Sequence, residues 1–230
     1  MPYPSIMTID GPAASGKTTI GKLLADDLDY LFFDTGVMYR AVTWAVMDQS
    51  VPIPDEKSVS ELAQKAEIDV LPPSEKDGRS CDIRYAGQDI TWDIRGAQVE
   101  ANVSAVSAYS GVREAMTLRQ RQIGLRGKVV MVGRDIGTVV FPEAGFKVFL
   151  EASAEKRALR RTLELHQRHE NAEYAEILKA MKKRDRIDST RTLAPLRPAK
   201  DAIIINTDNL SIDQVFQMIK SLAYIETTIL

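Results

Sequence analysis

Short apolar runs recur along the chain, separated by stretches in which apolar residues follow helical spacing. Five such runs predict β-strands, at residues 5–9, 31–33, 129–132, 148–150 and 202–205. Short runs rich in β-branched residues are typical of strands buried on both faces of a parallel sheet. A helix is predicted from Ile20 to Leu28, and a capping box at Ser211–Gln214 predicts the start of another. Because strands alternate with helices, the pattern predicts a doubly wound α/β fold.

The alternation is interrupted between about Val51 and Gln98, where prolines cluster and the pattern becomes β-like. Residues 81–85 and 87–90 are candidate strands, joined by a turn at Ala86–Gly87. The acidic stretch 55–77 indicates a solvated face. We therefore expect a small inserted subdomain, which we place at residues 37–100, between two parts of the core at 1–36 and 101–230.

The segment Gly11–Thr18 matches the pattern G-x4-G-K-[ST] and stands between a predicted strand and a predicted amphipathic helix. A loop of this kind turns backbone N–H groups toward an anion at a helix N-terminus. Lys17 reaches the β- and γ-phosphates, and the Thr18 hydroxyl can coordinate Mg²⁺. A surface glycine turn is the alternative, but the flanking elements favour a nucleoside triphosphate site. Its expected residues are Gly11, Pro12, Ala13, Ala14, Ser15, Gly16, Lys17, Thr18 and Thr19.

Two arginines come after predicted strands, at the carboxyl ends of the strands, where the Gly11–Thr18 loop also begins. Arg40 comes shortly after the second strand, and Arg134 follows the third within Gly133–Asp135. In an open α/β sheet, ligands bind outside the carboxyl ends of the strands. Because a guanidinium group can hold phosphate oxygens in a bidentate manner, these arginines indicate a second phosphate-bearing substrate. Structural ion pairs are the alternative for each arginine taken singly.

Two further stretches place arginines at helical spacing, so that they would lie on one face of a helix. The first contains Arg157, Arg160 and Arg161. It is either a solvated face or part of a mobile lid at about 155–172, whose arginines stabilise charge on a transferring phosphoryl group. The second stripe contains Arg184, Asp188 and Arg191. Its alternative is an internal ladder of salt bridges.

Taken together, these segments resemble the bacterial cytidylate kinases. The resemblance runs in order from about residue 5 to 222, and the run Gly133–Pro142 is the part specific to that family. The other matching segments are the loop at Gly11, Asp34–Arg40, Val112–Ala115 and Arg184–Leu196. The resemblance implies a nucleoside-monophosphate kinase core with a five-stranded parallel sheet and an enlarged monophosphate-binding insert. Residues 95–102 depart from the R-x-x-E-V run expected there.

The resemblance also implies roles for residues. The acceptor phosphate would be held by Arg40, Arg134 and Arg191, in a pocket lined by Thr35 and Tyr39. The cytosine would be read by Ser104, Arg113 and Asp135, and the ribose held by Arg184 and Asp188. Charge on the transferring group would be neutralised by Mg²⁺ with Lys17, Arg134, Arg157, Arg160 and Arg161.

The chemistry of the base independently suits Asp135. A carboxylate is the natural acceptor for the C4 amino group of cytosine, whereas uracil presents a carbonyl oxygen there. Such a contact discriminates by about 1–3 kcal/mol. The implied reaction transfers the γ-phosphoryl group of ATP to CMP or dCMP, giving ADP and CDP or dCDP.

Three other functions compete with this hypothesis. One is a small P-loop kinase that acts on another monophosphate or on a small hydroxyl-bearing metabolite. Another is an ATP-dependent switch, which the density of acceptor-side arginines disfavours. The third is nucleic-acid binding through residues 157–191, which would need a more basic chain.

Composition limits the expected binding partners and the expected cellular compartment. Thirty basic and 32 acidic residues give a net charge of −2, so no overall field attracts nucleic acid or a membrane surface. The single cysteine, Cys81, cannot form an intrachain disulfide. The first residues lack the basic region of a signal peptide, and no apolar run approaches the roughly 20 residues of a membrane span. We expect a cytoplasmic protein, and the resemblance implies a monomer.

Overall fold

The computed structural model describes residues 3–167 and 171–229 of the chain. Its strands are β1 (Ile6–Asp10), β2 (Leu31–Asp34), β3 (Ile68–Leu71), β4 (Asp82–Tyr85), β5 (Gln88–Asp89), β6 (Val129–Gly133), β7 (Phe146–Glu151) and β8 (Ile203–Asn206). Its helices are α1 (Lys17–Leu28), α2 (Gly36–Asp48), α3 (Glu56–Lys65), α4 (Ala97–Val106), α5 (Ser110–Gly124), α6 (Ala154–Gln167), α7 (Tyr174–Thr190) and α8 (Ile212–Ile229).

The central sheet has five strands in the order β2-β6-β1-β7-β8, and every neighbouring pair is parallel. All five are the strands predicted from the apolar runs, so the α/β prediction is confirmed. β6 is buried along its whole length, because helices cover both faces of the sheet and its Val129–Val132 run has no polar side chain. Side chains of α1 and α8 pack on one face, and α5 packs on the other.

A second sheet, β3-β4-β5, is antiparallel and lies in the segment predicted as an insert. The predicted turn between β4 and β5 is confirmed: Ala86 and Gly87 both have positive φ angles, 48° and 83°. The acidic stretch 55–77 is only partly a solvated face. It contains α3, capped by the Asp55 side chain, and β3, and it buries apolar residues such as Val59.

The small sheet shares its core with the large one. Val70 and Ile83 of the small sheet belong to the same hydrophobic cluster as Met116 of α5 and Met131 of β6. The segment 37–100 is therefore packed onto the main fold through continuous apolar contacts, and its boundaries as a subdomain stay a prediction.

The C-terminal helix begins as the sequence predicts. The Gln214 N–H donates to Ser211 Oγ at 3.1 Å, and the Ser211 N–H donates to Gln214 Oε1 at 2.9 Å. This reciprocal pair is a capping box. Within the described ranges, no helix combines the length and apolar character that crossing a bilayer requires.

Candidate active site

The carboxyl ends of β1, β2 and β6 lie side by side and form the floor of the candidate site. Asp10 at the end of β1 is in register with Gly133 at the end of β6, and Asp34 of β2 is in register with Val132. Segments that leave these three strands therefore start close together. The structure brings the Gly11–Thr18 loop, the Thr35–Arg40 segment and the Arg134–Asp135 turn to one edge of the sheet.

The loop between β1 and α1 has the backbone that an anion site requires. A Cβ atom on Gly11 would lie 2.4 Å from the carbonyl oxygen of Leu150, so no larger residue fits there. Gly16, directly before α1, has a φ of 97°, in the region that favours glycine. Lys17 Nζ donates to the carbonyl oxygen of Pro12 at 2.8 Å, which draws the side chain over the loop.

The electrostatic setting of Lys17 favours an anionic ligand. The pKa of Lys17 is lowered to about 7, mainly by removal from water and also by the nearby Arg134 guanidinium. A triphosphate in this loop would counter both effects, because negative charge stabilises the ammonium form. The surroundings of Lys17 therefore lack the negative charge that would stabilise its ammonium form, and an anionic ligand would supply that charge.

Thr18 and Asp34 lie together beside the loop. Thr18 Oγ1 donates to Asp34 Oδ2 at 3.4 Å, and Asp34 Oδ1 accepts from the Gly36 N–H at 3.0 Å. Hydroxyl and carboxylate oxygens are the ligands that Mg²⁺ prefers. The donor set therefore fits the ion that the sequence predicts, although Asp34 itself was not among the predicted ligands.

The first two predicted arginines of α6 are anchored to the Gly11–Thr18 loop, which we call the donor loop. Arg157 donates to the carbonyl oxygen of Ala13 at 3.2 Å and to both carboxylate oxygens of Asp185, at 3.1 and 2.5 Å. Arg160 donates to Thr207 at 3.0 Å (Oγ1) and 2.5 Å (the carbonyl oxygen). Thr207 Oγ1 in turn lies 3.2 Å from the carbonyl oxygen of Ser15.

Arg161 differs from its two neighbours on the stripe. It pairs with Glu164 on its own helix at 2.8 Å and is 40% exposed. It also lies near enough to Arg184 to contribute to the lowered pKa of that group. Residues 168–170 of the predicted lid lie outside the described residues.

A cluster of guanidinium groups, of which those of Arg134 and Arg191 are partly buried, faces the donor loop from the other side. Arg134 forms an ion pair with Asp188 of α7, and Arg191 Nη1 lies 3.5 Å from the other carboxylate oxygen of Asp188. Burial, followed by repulsion from Arg184 and Arg191, lowers the pKa of Arg134 to about 9. Asp188 offsets part of this positive charge, and a phosphate can accept from the same guanidinium groups, so the cluster is suited to a phosphate.

The predicted base-reading residues also form a cluster. Arg113 Nη2 donates to Asp135 Oδ2 at 2.6 Å, and both side chains are about 90% buried. The Arg113 guanidinium carbon lies 5.5 Å from the ring centroid of Tyr39. Thr35 Oγ1 donates to the carbonyl oxygen of Val132 at 3.1 Å, which ties the start of α2 to β6. Desolvation raises the pKa of Tyr39, so the phenol stays neutral.

Arg40 is paired with a residue that the sequence analysis did not single out. Its Nη2 lies 2.5 Å from Glu100 Oε2 on α4, and the Glu100 charge also opposes the lowering of the Arg184 pKa, of which burial is the main cause. Ser104 lies one turn further along α4, where it is exposed and its carbonyl oxygen accepts a bond from Ser107. Of the three residues predicted to read the base, Arg113 and Asp135 contact each other, whereas no described side-chain contact joins Ser104 to them.

No role was predicted from the sequence for four acidic residues of the site: Asp10, Asp34, Glu100 and Asp185. Asp10 and Asp34 directly follow two of the predicted strands, beside the donor loop, and that position was an available signal. Burial, as the main cause, raises the pKa of Asp10 to about 7, although two backbone N–H groups oppose the shift. Glu100 and Asp185 lie on helices among other charged residues, and their partners are distant in the sequence.

Comparison with known proteins identifies the family. The cytidylate kinase family profile matches residues 7–225. A cytidylate kinase of Herpetosiphon aurantiacus is 49% identical over 98% of this chain and 97% of its own length, and one of Roseiflexus castenholzii is 46% identical over 95% and 93%. A solved structure of an uncharacterized protein from Eubacterium ventriosum covers 95% of this chain and 97% of its own with a TM-score of 0.51 at 11% identity, a likeness of fold alone. The chain belongs to the cytidylate kinase family.

Proposed function

We propose that the protein transfers the γ-phosphoryl group of ATP to CMP or dCMP, giving ADP and CDP or dCDP. The observation that carries this proposal is the meeting of two sites at one sheet edge. The donor loop at Lys17 faces a guanidinium cluster that includes the partly buried Arg134, and the Arg113–Asp135 pair lies beside that cluster. The family and the names of the relatives support the same activity.

On the donor side, residues 11–19 bind the phosphates of ATP. Their backbone N–H groups and the start of α1 favour negative charge, and Lys17 adds its ammonium group. Thr18 and Asp34 would hold Mg²⁺, which when bound neutralises charge on the β- and γ-phosphate oxygens. The pairing of Arg157 with Ala13 and of Arg160 with Thr207 supports a role for α6 in shaping this loop.

On the acceptor side, we assign the phosphate of CMP to Arg40, Arg134 and Arg191. Each of these guanidinium groups is balanced by a carboxylate in the structure: Glu100 for Arg40, and Asp188 for the other two. A phosphate can take over such pairings, because its oxygens accept from a guanidinium fork in the same way as a carboxylate. Arg184 and Asp188 would hold the ribose.

Asp135 is proposed to read the base. Its Oδ2 is fixed by Arg113, so the carboxylate has a defined orientation when it meets the C4 amino group of cytosine. Ser104 is assigned to the same pocket from the resemblance alone. Segment 37–100 would then serve as the monophosphate-binding unit, because it supplies Tyr39, Arg40 and Glu100.

Catalysis in this proposal is positioning combined with charge stabilisation, and it requires no covalent intermediate. Lys17 and the arginines 134, 157, 160 and 161 would stabilise the charge of the transferring group. Arg134 lies between the two sites, since its charge acts on Lys17 and it pairs with Asp188 of the acceptor side. It is therefore placed to contact both substrates.

A coupled assay of ADP release tests the proposal. Mg·ATP is offered with CMP, dCMP, UMP, AMP, GMP or no acceptor. We expect strong turnover with CMP and dCMP, weak turnover with UMP and almost none without acceptor. Preferred turnover of another monophosphate would contradict the base assignment, and acceptor-independent hydrolysis would favour an ATP-dependent switch.

A further inference from the structure

Asp10 is a buried carboxylate that the proposed reaction leaves without a role. It is the last residue of β1 and directly precedes Gly11 of the donor loop, and only 4% of its surface is exposed. Its two oxygens accept from two successive backbone N–H groups, Ile136 at 2.8 Å and Gly137 at 2.7 Å. These contacts join positions 126 and 127 residues apart in the sequence.

The Ile136 and Gly137 amides open the turn that follows Arg134 and Asp135. That turn is irregular: Asp135 has φ −147° and ψ 21°, and residues 136–140 form a single π-helical turn. Its own backbone hydrogen bonds run from the N–H groups of Val139, Val140 and Phe141 to the carbonyl oxygens of Asp135 and Ile136, so the N–H groups of Ile136 and Gly137 are left for a partner outside the turn. The Asp10 carboxylate provides two such bonds from the neighbouring strand.

We propose that Asp10 is a positioning residue, which holds the Arg134–Asp135 turn in register with the donor loop. This inference rests on the proposed function, since it concerns how the acceptor-reading groups are aimed. One carboxylate thus links the residue next to Gly11 with the two side chains assigned to the acceptor's phosphate and base. Asp10 touches neither substrate in this proposal.

Close packing around Gly137 indicates that the turn has a fixed position. A Cβ atom on Gly137 would lie 3.2 Å from Lys147 Cδ, 3.3 Å from Thr8 Oγ1 and 3.4 Å from Asp10 Oδ2. The turn therefore lies directly on β1 and β7, and a methyl group on Gly137 would push it away from Asp10. Movement of this backbone would displace Asp135, which is only two residues away.

A purely structural role is the competing explanation, and the kinetic pattern separates the two. The variant Asp10→Asn keeps the shape of the side chain but replaces one acceptor oxygen with an NH₂ group that opposes a backbone N–H. Since bonds to a charged group are among the stronger ones, we expect the KM for CMP to rise about tenfold or more. The preference for CMP over UMP should fall, while the KM for ATP should rise by a clearly smaller factor, because Asp10 acts on Lys17 only through its charge.

Asp201→Asn is the matched control. It removes a carboxylate that accepts from buried Lys147 Nζ at 2.6 Å, close to the same turn but without contact to it. We expect a lower melting temperature and an unchanged ratio of CMP to UMP turnover. If Asp10→Asn behaves in the same way, the positioning role is wrong. A parallel rise in the KM for ATP would also overturn it, because the effect would then act through the donor loop.

Two further measurements keep the test decisive. Gly137→Ala disturbs the same contact from the other side and should raise the KM for CMP in the same direction, so it replaces Asp10→Asn if that variant does not fold. Wild-type acceptor specificity is measured first. If wild type prefers another monophosphate, the proposed function fails, and the Asp10 comparison is made with that acceptor instead.

Discussion

The donor and acceptor sides of the site hold their arginines in different ways. On the donor side, Arg157 and Arg160 donate to main-chain carbonyl oxygens, those of Ala13 and Thr207, and Arg157 is held by the Asp185 carboxylate as well. On the acceptor side, the arginines are paired with carboxylate side chains, as in the contact between Arg40 and Glu100. Carbonyl oxygens of a loop are fixed by the backbone, whereas a side-chain carboxylate can turn away when a phosphate arrives.

The donor side is therefore a preformed site, whereas on the acceptor side a phosphate can exchange with the carboxylates that pair with the arginines. We expect the donor loop to keep its shape when ATP binds, because glycine conformations and main-chain bonds define it. The acceptor side is balanced by internal anions, so the CMP phosphate has to displace or join them. Substitutions on the donor side should therefore affect turnover most strongly, and those on the acceptor side should affect KM and specificity.

The largest effect is expected for Lys17→Ala. Loss of a preorganised charge that stabilises the transferring group typically lowers kcat by about 10²- to 10³-fold. Steady-state assays with saturating CMP should show this loss, with the order of preference among acceptors retained. Lys22→Ala, on the same helix, is the control and should keep nearly wild-type turnover. A Lys17→Ala variant with normal kcat would remove the donor loop from the mechanism.

Asp135→Asn should alter specificity on the acceptor side. The amide can present a donor to the O4 carbonyl of uracil, and it loses the charge that pairs with Arg113. We expect the preference for CMP over UMP to fall by about 5- to 100-fold, equivalent to about 1–3 kcal/mol. Competition assays with both acceptors measure this ratio directly. Glu143→Gln, which removes the surface partner of Arg121, should leave it unchanged.

The same contrast explains what the sequence could predict. The donor loop is one contiguous segment, and the five parallel strands are apolar runs, so both could be identified locally. The strand β3 and the helix α3 were not predicted, because their apolar positions are few and lie among charged residues. Their burial depends on α5 and the central sheet, which short-range patterns do not reveal.

The acceptor side could be predicted as residues but not as contacts. Its arginines were assigned through a family resemblance, yet the Glu100 partner of Arg40 comes from another helix, as does the Asp185 partner of Arg157 on the donor side. The pairs are 60 and 28 residues apart in sequence. Only the crossing of helices over the sheet brings them together, so no spacing rule indicates them.

The donor side should also respond to pH. Removal from water is the main cause that lowers the pKa of Lys17 to about 7; Arg134 and Arg184 lower it as well, whereas Asp34 and Asp10 raise it. Lys17 therefore loses its charge as the pH rises above about 7 in the free protein, and ATP binding must restore that proton. We expect ATP affinity to fall by up to about tenfold per pH unit above this point.

Calorimetric titration with Mg·ATP at pH 8 in buffers of different ionisation enthalpy measures the proton uptake. Lys17→Arg is the control, since a guanidinium group keeps its proton and should abolish the uptake. An equal uptake in wild type and in Lys17→Arg would assign the proton to another group.

The smallest effect, and the sharpest test of the exchangeable acceptor side, is expected for Glu100→Gln. The Arg40 and Glu100 side chains are 29% and 61% exposed, and exposed ion pairs contribute about 0.2–1 kcal/mol. If Glu100 competes with the CMP phosphate for Arg40, its neutral analogue should lower the KM for CMP by about two- to fivefold. The gain should shrink at high salt, because screening weakens the pair in wild type. Glu114→Gln on α5 serves as the control, and a raised KM in Glu100→Gln would instead mean that Glu100 orients Arg40 for the substrate.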